Sequence, residues 1–389
     1  MKKEAVIISA ARTPVGRMRG ALAGVAATDL GALVMKAAVE RAGILPEQID
    51  DVIFGNLGNN QYANLARVAA LKAGFPVSVP GFTIDRQCSS GLNAIALAAM
   101  MIESGHGEVF VAGGVESDSS RPNLLARPTQ AYQLNPPEWL TRYTAPEGMN
   151  FSMGETAENL CDKYQITREQ CDAFAQESHR RAARAAKDEV FQEQIVPVPV
   201  TDRKGNITEV TKDECIRPDT TMETLAGLKP VFRKDGRITA GTSSPMSDGA
   251  GAVVVMEKQR ALKENKKIRA QFVDFAVTGC DPSIMGIGPV EAVRKLLKQN
   301  GLTLQDIDLI ELNEAFASQS LACIQELGLD TDKVNVNGGA LALGHPLAGT
   351  GGILTTKLIY EMEARRAGYG IVSFCMAGGQ GAAALLKRI

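Results

Sequence analysis

The feature that most constrains the fold of this chain is an internal repeat. The segment AGILPEQIDDVIFG, Ala42 to Gly55, lies without a gap over NGLTLQDIDLIELN, Asn300 to Asn313. Gly43, Ile49 and Asp50 are identical to Gly301, Ile307 and Asp308, while Ile44, Val52 and Phe54 face Leu302, Ile310 and Leu312. Both copies sit in the same order of elements: amphipathic helix, Gly-Ile or Gly-Leu cap, acidic turn, strand, helix, strand, glycine-rich turn and buried helix. Each then closes on a strand ending in Ala-Gly-Gly, at 112–114 and 377–379. Two such units are expected to pack against each other and place corresponding turns around one crevice. Carried along the repeat register, Cys88 falls within one residue of His345, so a thiol and an imidazole are predicted to meet there.

Residues 1–118 alternate strand-like and helix-like runs: AVIIS, a helix near Asp29 to Ala42, DVIFGN, a helix near Leu65 to Ala73, GFTID, a helix after Cys88, and EVFVAGG. This alternation predicts an α/β fold with a largely parallel sheet covered on its faces. From Ser119 the chain turns polar and proline-rich, RPNLLARPTQAYQLNPPEWL, and leads into a charged amphipathic helix near Arg168 to Lys187. IVPVPV and DRKGNITEV follow as an irregular strand and a hairpin with Lys-Gly-Asn at its tip. The expected division is therefore 1–118 with 245–268 as one half, 119–244 as an insertion, and 269–389 as the second half. At 389 residues the chain exceeds the ~250–300 at which single cores stop growing.

A net charge of -2, with 45% hydrophobic and 22% charged residues, gives no basic excess to attract nucleic acid. Any anionic ligand must be met locally. The apolar run after the first two lysines is too short for a signal peptide, and no apolar segment approaches the ~20 residues that span a bilayer. A cytoplasmic protein with no membrane partner is expected. Seven cysteines, at 88, 161, 171, 215, 280, 323 and 375, form no CxxC pair, which argues for reduced thiols and against a metal site.

Four polar positions stand out. In DRQCSSGLNAIALAAMMI, Asp85 to Ile102, Cys88 sits at a strand-to-helix seam where helical N–H groups favour thiolate over thiol; the alternative is a small buried structural residue. In NVNGGALALGHPLAGTGG, His345 precedes Pro346 in a glycine-rich turn before a helix beginning near Ile353, and its pKa range suits it to accept a thiol proton. The competing reading of that turn is a phosphate cradle, although neither GxxxxGK[ST] nor GxGxxG occurs. Cys375, at the strand end of SFCMAGGQG, is placed either to exchange protons in the same cleft or to form a redox pair with Cys88. Asn313 in ELNEAF is suited to orient a water or an oxyanion, or else to cap a helix. His106 and His179 read as surface residues without a role.

Taken together, ARTPVG, CSSG, SMGETAEN, IRP, AGTSSPMSDGA, NEAF, NVNGGALALGHP and SFCMAGGQG, in that order along essentially the whole chain, resemble the thiolases. These are thioester-dependent acyltransferases that use coenzyme A as a substrate and carry no permanently bound cofactor. The resemblance implies a duplicated αβαβα five-layer fold with an inserted, CoA-binding loop domain. It implies that Cys88 is acylated, that His345 activates it, and that Cys375 moves a proton to or from the second thiol or the α-carbon. It also implies two oxyanion holes, one from His345 with a water held by Asn313, and one from the backbone N–H groups of Cys88 and Ala377. By the same resemblance Ser244 lies beside the pantetheine arm, Met153 and Phe316 line the acyl pocket, and Arg217 lies near the adenine and phosphate end.

Two departures bear on this. Many thiolases read Gly-Ala-Ser-Gly where this chain has Ala348, Gly349, Thr350 and Gly351, and Gly is usual where Ala377 stands, so a strained positive φ is expected at Ala377. Ser152, in place of the His common in biosynthetic acetoacetyl-CoA members, resembles the degradative type that cleaves 3-ketoacyl-CoA. A biosynthetic acetoacetyl-CoA thiolase is the alternative. A ketoacyl synthase would want two histidines beside the Cys, and a non-catalytic CoA- or lipid-binding protein would not need Cys88, Asn313, His345 and Cys375 together. The resemblance further implies a homodimer or homotetramer joined at the sheet edge of the first half.

Overall fold

The computed structural model describes residues 3–128, 130, 132, 139–140 and 142–389, so part of the proline-rich stretch lies outside the described residues. The chain opens with β1 (Ala5–Arg12), β2 (Gly16–Arg17) and α1 (Ala27–Ala42). Next come β3 (Asp51–Gly55), α2 (Leu65–Lys72), β4 (Gly81–Ile84), α3 (Ser90–Glu103) and β5 (Val109–Ser117). A long excursion carries α4 (Met153–Tyr164), α5 (Arg168–Lys187), the hairpin β6 (Val198–Thr201) and β7 (Ile207–Val210), and α6 (Met222–Ala226). The return strand is β8 (Ser247–Glu257), followed by α7 (Lys258–Lys263) and β9 (Ala270–Gly279). α8 (Gly288–Asn300), β10 (Leu309–Leu312), α9 (Ala317–Leu327) and α10 (Ala340–Leu343) come next. The chain ends with α11 (Gly349–Arg365), β11 (Tyr369–Met376) and β12 (Gln380–Lys387).

The repeat is visible in capping and pairing alike. Gly43 and Gly301 end α1 and α8 in the left-handed region, at φ 60° and 63°, where a side chain would be strained. The two matched aspartates do the same work. Asp50 Oδ2 accepts the N–H groups of Glu108 and Val109 at 2.6 and 2.9 Å, and Asp308 Oδ2 accepts those of Gly368 and Tyr369 at 2.7 and 3.0 Å. Each thereby ties its turn to the start of the neighbouring strand, β5 or β11.

Among the described residues, ten strands form one sheet in the order β10-β11-β12-β9-β1-β8-β5-β3-β4, with β2 on β8. The halves join through a short antiparallel ladder, Val6 opposite Gln271 and Ile7 opposite Ala270. The sheet is mixed, not largely parallel as the alternation of strands and helices predicted. Only β4-β3-β5 and β10-β11 run parallel; β1, β8 and β5, like β9, β12 and β11, are antiparallel neighbours. The reason is connectivity. β12 follows β11 through a turn too short for the crossover that parallel pairing requires, and β8 re-enters from the excursion at the end of the sheet where β5 left it, with Asp248 opposite Ser117.

Hydrophobic burial sorts the helices into layers. α1 and α2 cover one face of the first half through Leu30, Val34, Met35 and Ala69. α8 and α9 cover one face of the second through Val293, Leu296 and Cys323. α3 and α11 share the cluster between the halves, where Ile95, Ala98, Leu358 and Ile359 meet Phe110 and Val253 of one half and Phe374 and Leu386 of the other. Burial of Leu92, Ile95, Ala98 and Ile102 accounts for most of the apolar composition of Leu92 to Ile102, while Leu97, Met100 and Met101 leave an apolar stripe that is half-buried to exposed.

Glycine sets how closely these two helices approach. A Cβ on Gly91 would run into the carbonyl of Ala348, and one on Gly351 would run into the backbone N of Leu92. Backbone therefore touches backbone where α3 and α11 begin. α11 starts at Gly349, inside the glycine-rich segment and four residues before the expected Ile353. Those glycines serve helix packing instead of a phosphate cradle.

Candidate active site

The turn that carries Cys88 is tied down by its own neighbours. Ser90 Oγ donates to the carbonyl of Gln87 at 2.6 Å and accepts the Arg86 N–H at 2.8 Å. Gln87 is held at φ 50°, an uncommon conformation for a non-glycine residue, immediately before the cysteine. Beneath it, a Cβ on Gly55 would lie 2.6 Å from Gly91 N, so only glycine at the end of β3 lets the start of α3 sit here. Gly55 is the repeat counterpart of Asn313: one half keeps the space empty for a helix, and the other fills it with an amide.

The Cys88 thiol does not have the lowered pKa expected of a helix N-terminus. Burial pushes it up to about 12, and the N–H groups of Cys88 itself and of Ala377 offset only part of that. Removal from water outweighs the helix dipole. Ala377 lies just past β11, so the same turn that faces Cys88 with an N–H also carries Cys375. Burial, and then the proximity of Cys88, raise the Cys375 thiol. The strain expected at Ala377 is absent because Gly378 and Gly379, at φ 81° and 79°, make the reversal. The excursion rests on this turn, with the carbonyl of Thr144 in the space a Cβ on Gly378 would take.

His345 is buried, and burial lowers its pKa to about 4, so it is neutral near pH 7. Its backbone N–H donates to Ser247 Oγ at 3.2 Å. Its ring is held from both sides: Nδ1 lies 2.7 Å from Thr350 Oγ1, and Nε2 lies 3.3 Å from Asn313 Nδ2. Asn313 caps no helix, since α9 begins at Ala317 with Phe316 as its N-cap. Its buried Oδ1 has no hydrogen-bond partner among the described residues, and neither does the buried Ser89 Oγ. A buried amide oxygen left open beside the His345 ring suits a site that receives a ligand or water.

The remaining predicted positions lie on the excursion and on the segments before β8 and α9. Phe316 and half-buried Met153 share a hydrophobic cluster with Cys375. Phe232, which the sequence reading missed, meets the Phe316 ring edge-on at 6.1 Å, and Gly154 is glycine because the Phe232 ring occupies its Cβ position. Ser244 N–H donates to the Ala315 carbonyl at 3.0 Å, which fastens the segment before β8 to the turn before α9. Ser152 caps α4 by accepting the Glu155 N–H. Arg217 is exposed, and its backbone N–H donates to His179 Nδ1 at 3.1 Å. His179 is thus buried under this loop, not on the surface as expected, and burial lowers its pKa to about 4. His106 is exposed, as expected. Among the described residues no group of His, Cys, Asp and Glu is placed to hold a metal ion.

The family models described as thiolase N-terminal domain and thiolase C-terminal domain match residues 5–259 and 266–388. The chain is 46% identical to a 3-ketoacyl-CoA thiolase of Bacillus subtilis, with 99% of each covered. It is 43% identical to an acetyl-CoA acetyltransferase of Chromobacterium violaceum, covering 99% of this chain and 100% of that one. The crystal structure of Bacillus anthracis acetyl-CoA acetyltransferase superposes with a TM-score of 0.95 at 44% identity, over 100% of this chain and 99% of that one. Human mitochondrial 3-ketoacyl-CoA thiolase in complex with CoA gives 0.93 at 39% identity, over 100% and 98%.

Proposed function

The chain belongs to the thiolase family, and from that premise we propose that it converts 3-ketoacyl-CoA and CoA to acetyl-CoA and a shortened acyl-CoA through a thioester on Cys88. Cys88 Sγ attacks the 3-keto carbon while its proton passes to His345 Nε2. Both groups are neutral at rest, since burial holds the thiol near 12 and the imidazole near 4. The proton therefore moves only as the substrate oxyanion forms against the N–H groups of Cys88 and Ala377. The C2–C3 bond then breaks with its electron pair going to C2, and Cys375 gives C2 a proton, releasing acetyl-CoA. The enolate oxygen formed on the way is held by His345 and by a water on Asn313. Incoming CoA gives its thiol proton to Cys375 and attacks the Cys88 thioester. Cys88 leaves as thiolate and regains its proton from His345. Run backwards, the same steps form a carbon–carbon bond.

The observation that carries this reading is the pairing of Cys88 with the Ala377 N–H on the turn that bears Cys375, together with backbone contact between the start of the Cys88 helix and the start of the helix that follows His345, whose Nε2 meets a buried, half-satisfied amide. Thiolysis of acetoacetyl-CoA by Cys88→Ala is expected to fall by at least about 10⁴-fold. Retained activity would remove Cys88 as the nucleophile.

The segment 119–244 is proposed to hold CoA, with Ser244 at the pantetheine arm, Arg217 at the phosphates, and Met153 and Phe316 on the acyl chain. The substrate is proposed to be the broader 3-ketoacyl-CoA of fatty-acid degradation, on the strength of Ser152 where biosynthetic thiolases tend to carry His. Turnover of acetoacetyl-, 3-ketohexanoyl- and 3-ketodecanoyl-CoA tests this. Preference for the longer chains is expected, and exclusive use of acetoacetyl-CoA assigns the chain to condensation of acetyl-CoA. A cytoplasmic location fits seven cysteines that are all free, and among the described residues no helix is long and apolar enough to cross a membrane. A homodimer is proposed through β4, which among the described residues pairs only with β3 and leaves its other edge open. Phe82 and Ile84 on that strand are half-buried and Met100 on α3 is exposed. An open apolar edge invites a second copy.

A further inference from the structure

A buried imidazole has two neutral tautomers, and only the one with Nε2 bare can take the Cys88 proton. Some group must choose between them. Burial alone accounts for the lowered pKa of His345, with no neighbouring carboxylate contributing. The group at Nδ1 is the Thr350 hydroxyl, at 2.7 Å, on a residue that is 1% exposed. Thr350 is itself fixed by the first turn of α11, where its N–H reaches the carbonyls of Pro346 and Leu347 at 3.2 and 3.1 Å. On the far side of the ring, Asn313 Nδ2 is a donor and requires Nε2 to accept.

We propose that Thr350 is the positioning residue of the base: its hydroxyl accepts the Nδ1–H of His345 and so keeps Nε2 free for the Cys88 proton. This rests on the reading of His345 as that base. The hydroxyl accepts the same hydrogen before and after proton transfer, so the ring need not turn over during the reaction. A carboxylate in this place would stabilise imidazolium at rest; a neutral hydroxyl orients the ring without doing so. The charge then lasts only while an oxyanion balances it. Thr350 stands where many thiolases carry Ser, and that departure keeps the one atom this role needs.

The test uses the full chain labelled with ¹⁵N-histidine, and with only three histidines His345→Ala assigns the signal. The His345 signal of the unaltered protein is expected to report Nδ1–H with Nε2 unprotonated at pH 7. Thr350→Val, which keeps the side-chain shape, is expected to shift the signal toward the Nε2–H form, lower kcat roughly 10- to 100-fold with KM little changed, and slow alkylation of Cys88 by iodoacetamide. Thr350→Ser is expected to restore all three. An Nε2–H tautomer in the unaltered protein overturns the proposal without any variant. So does a Thr350→Val protein with wild-type kcat and an unmoved signal. If His345→Ala keeps its turnover, it is instead the assignment of the base that fails.

Discussion

The first half holds its central helix by shape, and the second holds its own by charge. α3 is packed through Leu92, Ile95, Ala98 and Ile102, and the turn before it is braced by the hydroxyl of Ser90. α11, in the matching place, buries Lys357, whose Nζ donates to Glu311 Oε2 and to the Gly338 carbonyl, each at 2.8 Å. One turn further on, Glu361 accepts from Asn337 at 2.5 Å. Glu314, beside Asn313, accepts from Ser178 Oγ, Asn335 Nδ2 and the Leu341 N–H. The difference follows the backbone. Cys88 needs only a tight turn, whereas His345 hangs on a stretch from Asn335 to Ala348 that is irregular apart from the single turn of α10, and its polar groups cannot all pair in a ladder. Side chains must hold it, and buried side chains that do so must themselves be paired.

The largest effect should come from cutting that network. Lys357→Met leaves Glu311 buried without its cation and is expected to cost about 3–5 kcal/mol in urea unfolding, with Lys357→Met/Glu311→Leu recovering most of it. A double variant no more stable than the single one would mean that charge is not what holds α11.

Two buried groups, one in each half, should also respond to pH with opposite signs. In the first half burial raises Glu116 to about 7, so it favours the folded state at low pH and that contribution is lost as pH rises from 4.5 to 7. In the second half His345 is lowered to about 4, so its contribution is present above 6.5 and lost as pH falls to 4. Unfolding midpoints taken from pH 4 to 7 should therefore climb more steeply in Glu116→Gln and less steeply in His345→Asn, by on the order of 1–3 kcal/mol across the window. Equal slopes in the two variants would break the contrast.

The smallest effect sharpens what the halves have in common. Asp50→Ala and Asp308→Ala each remove an exposed carboxylate that accepts two N–H groups, and each should cost about 1 kcal/mol. Costs differing by much more than that would show that the repeated motif no longer does the same work on both sides.

Much of this was legible in the chain because it is local. Thr167 and Gln170 form a capping box that starts α5 at Arg168, where the pattern put it, and the repeat named Gly43, Gly301, Asp50 and Asp308 before any geometry was known. What escaped is set by distant contact. The Ala-Gly-Gly at 112–114 reads as a strand end, yet β5 runs on to Ser117, because those glycines admit α11: a Cβ on Gly114 would meet Ala348. The burial of His179, the pKa of Cys88 and the role of Phe232 likewise depend on segments far away in the chain. Thr350 was noticed only as a departure. That an imidazole nitrogen would fall on its hydroxyl follows from α11 starting at Gly349, and no periodicity marks that start.

The excursion leaves β5 and returns in β8, and Ser117 and Asp248, at the two ends, are opposite each other in the ladder. To the sheet the whole intervening segment is a very long hairpin loop, and lengthening such a loop adds closure entropy only slowly. The excursion can therefore lengthen or shorten in its loops without disturbing the β5–β8 register, provided α5 keeps the Ser178 hydroxyl that donates to Glu314 and accepts the Gly339 N–H beside the His345 stretch. Variation in such a scaffold is open to the loops of the excursion and closed to its seam.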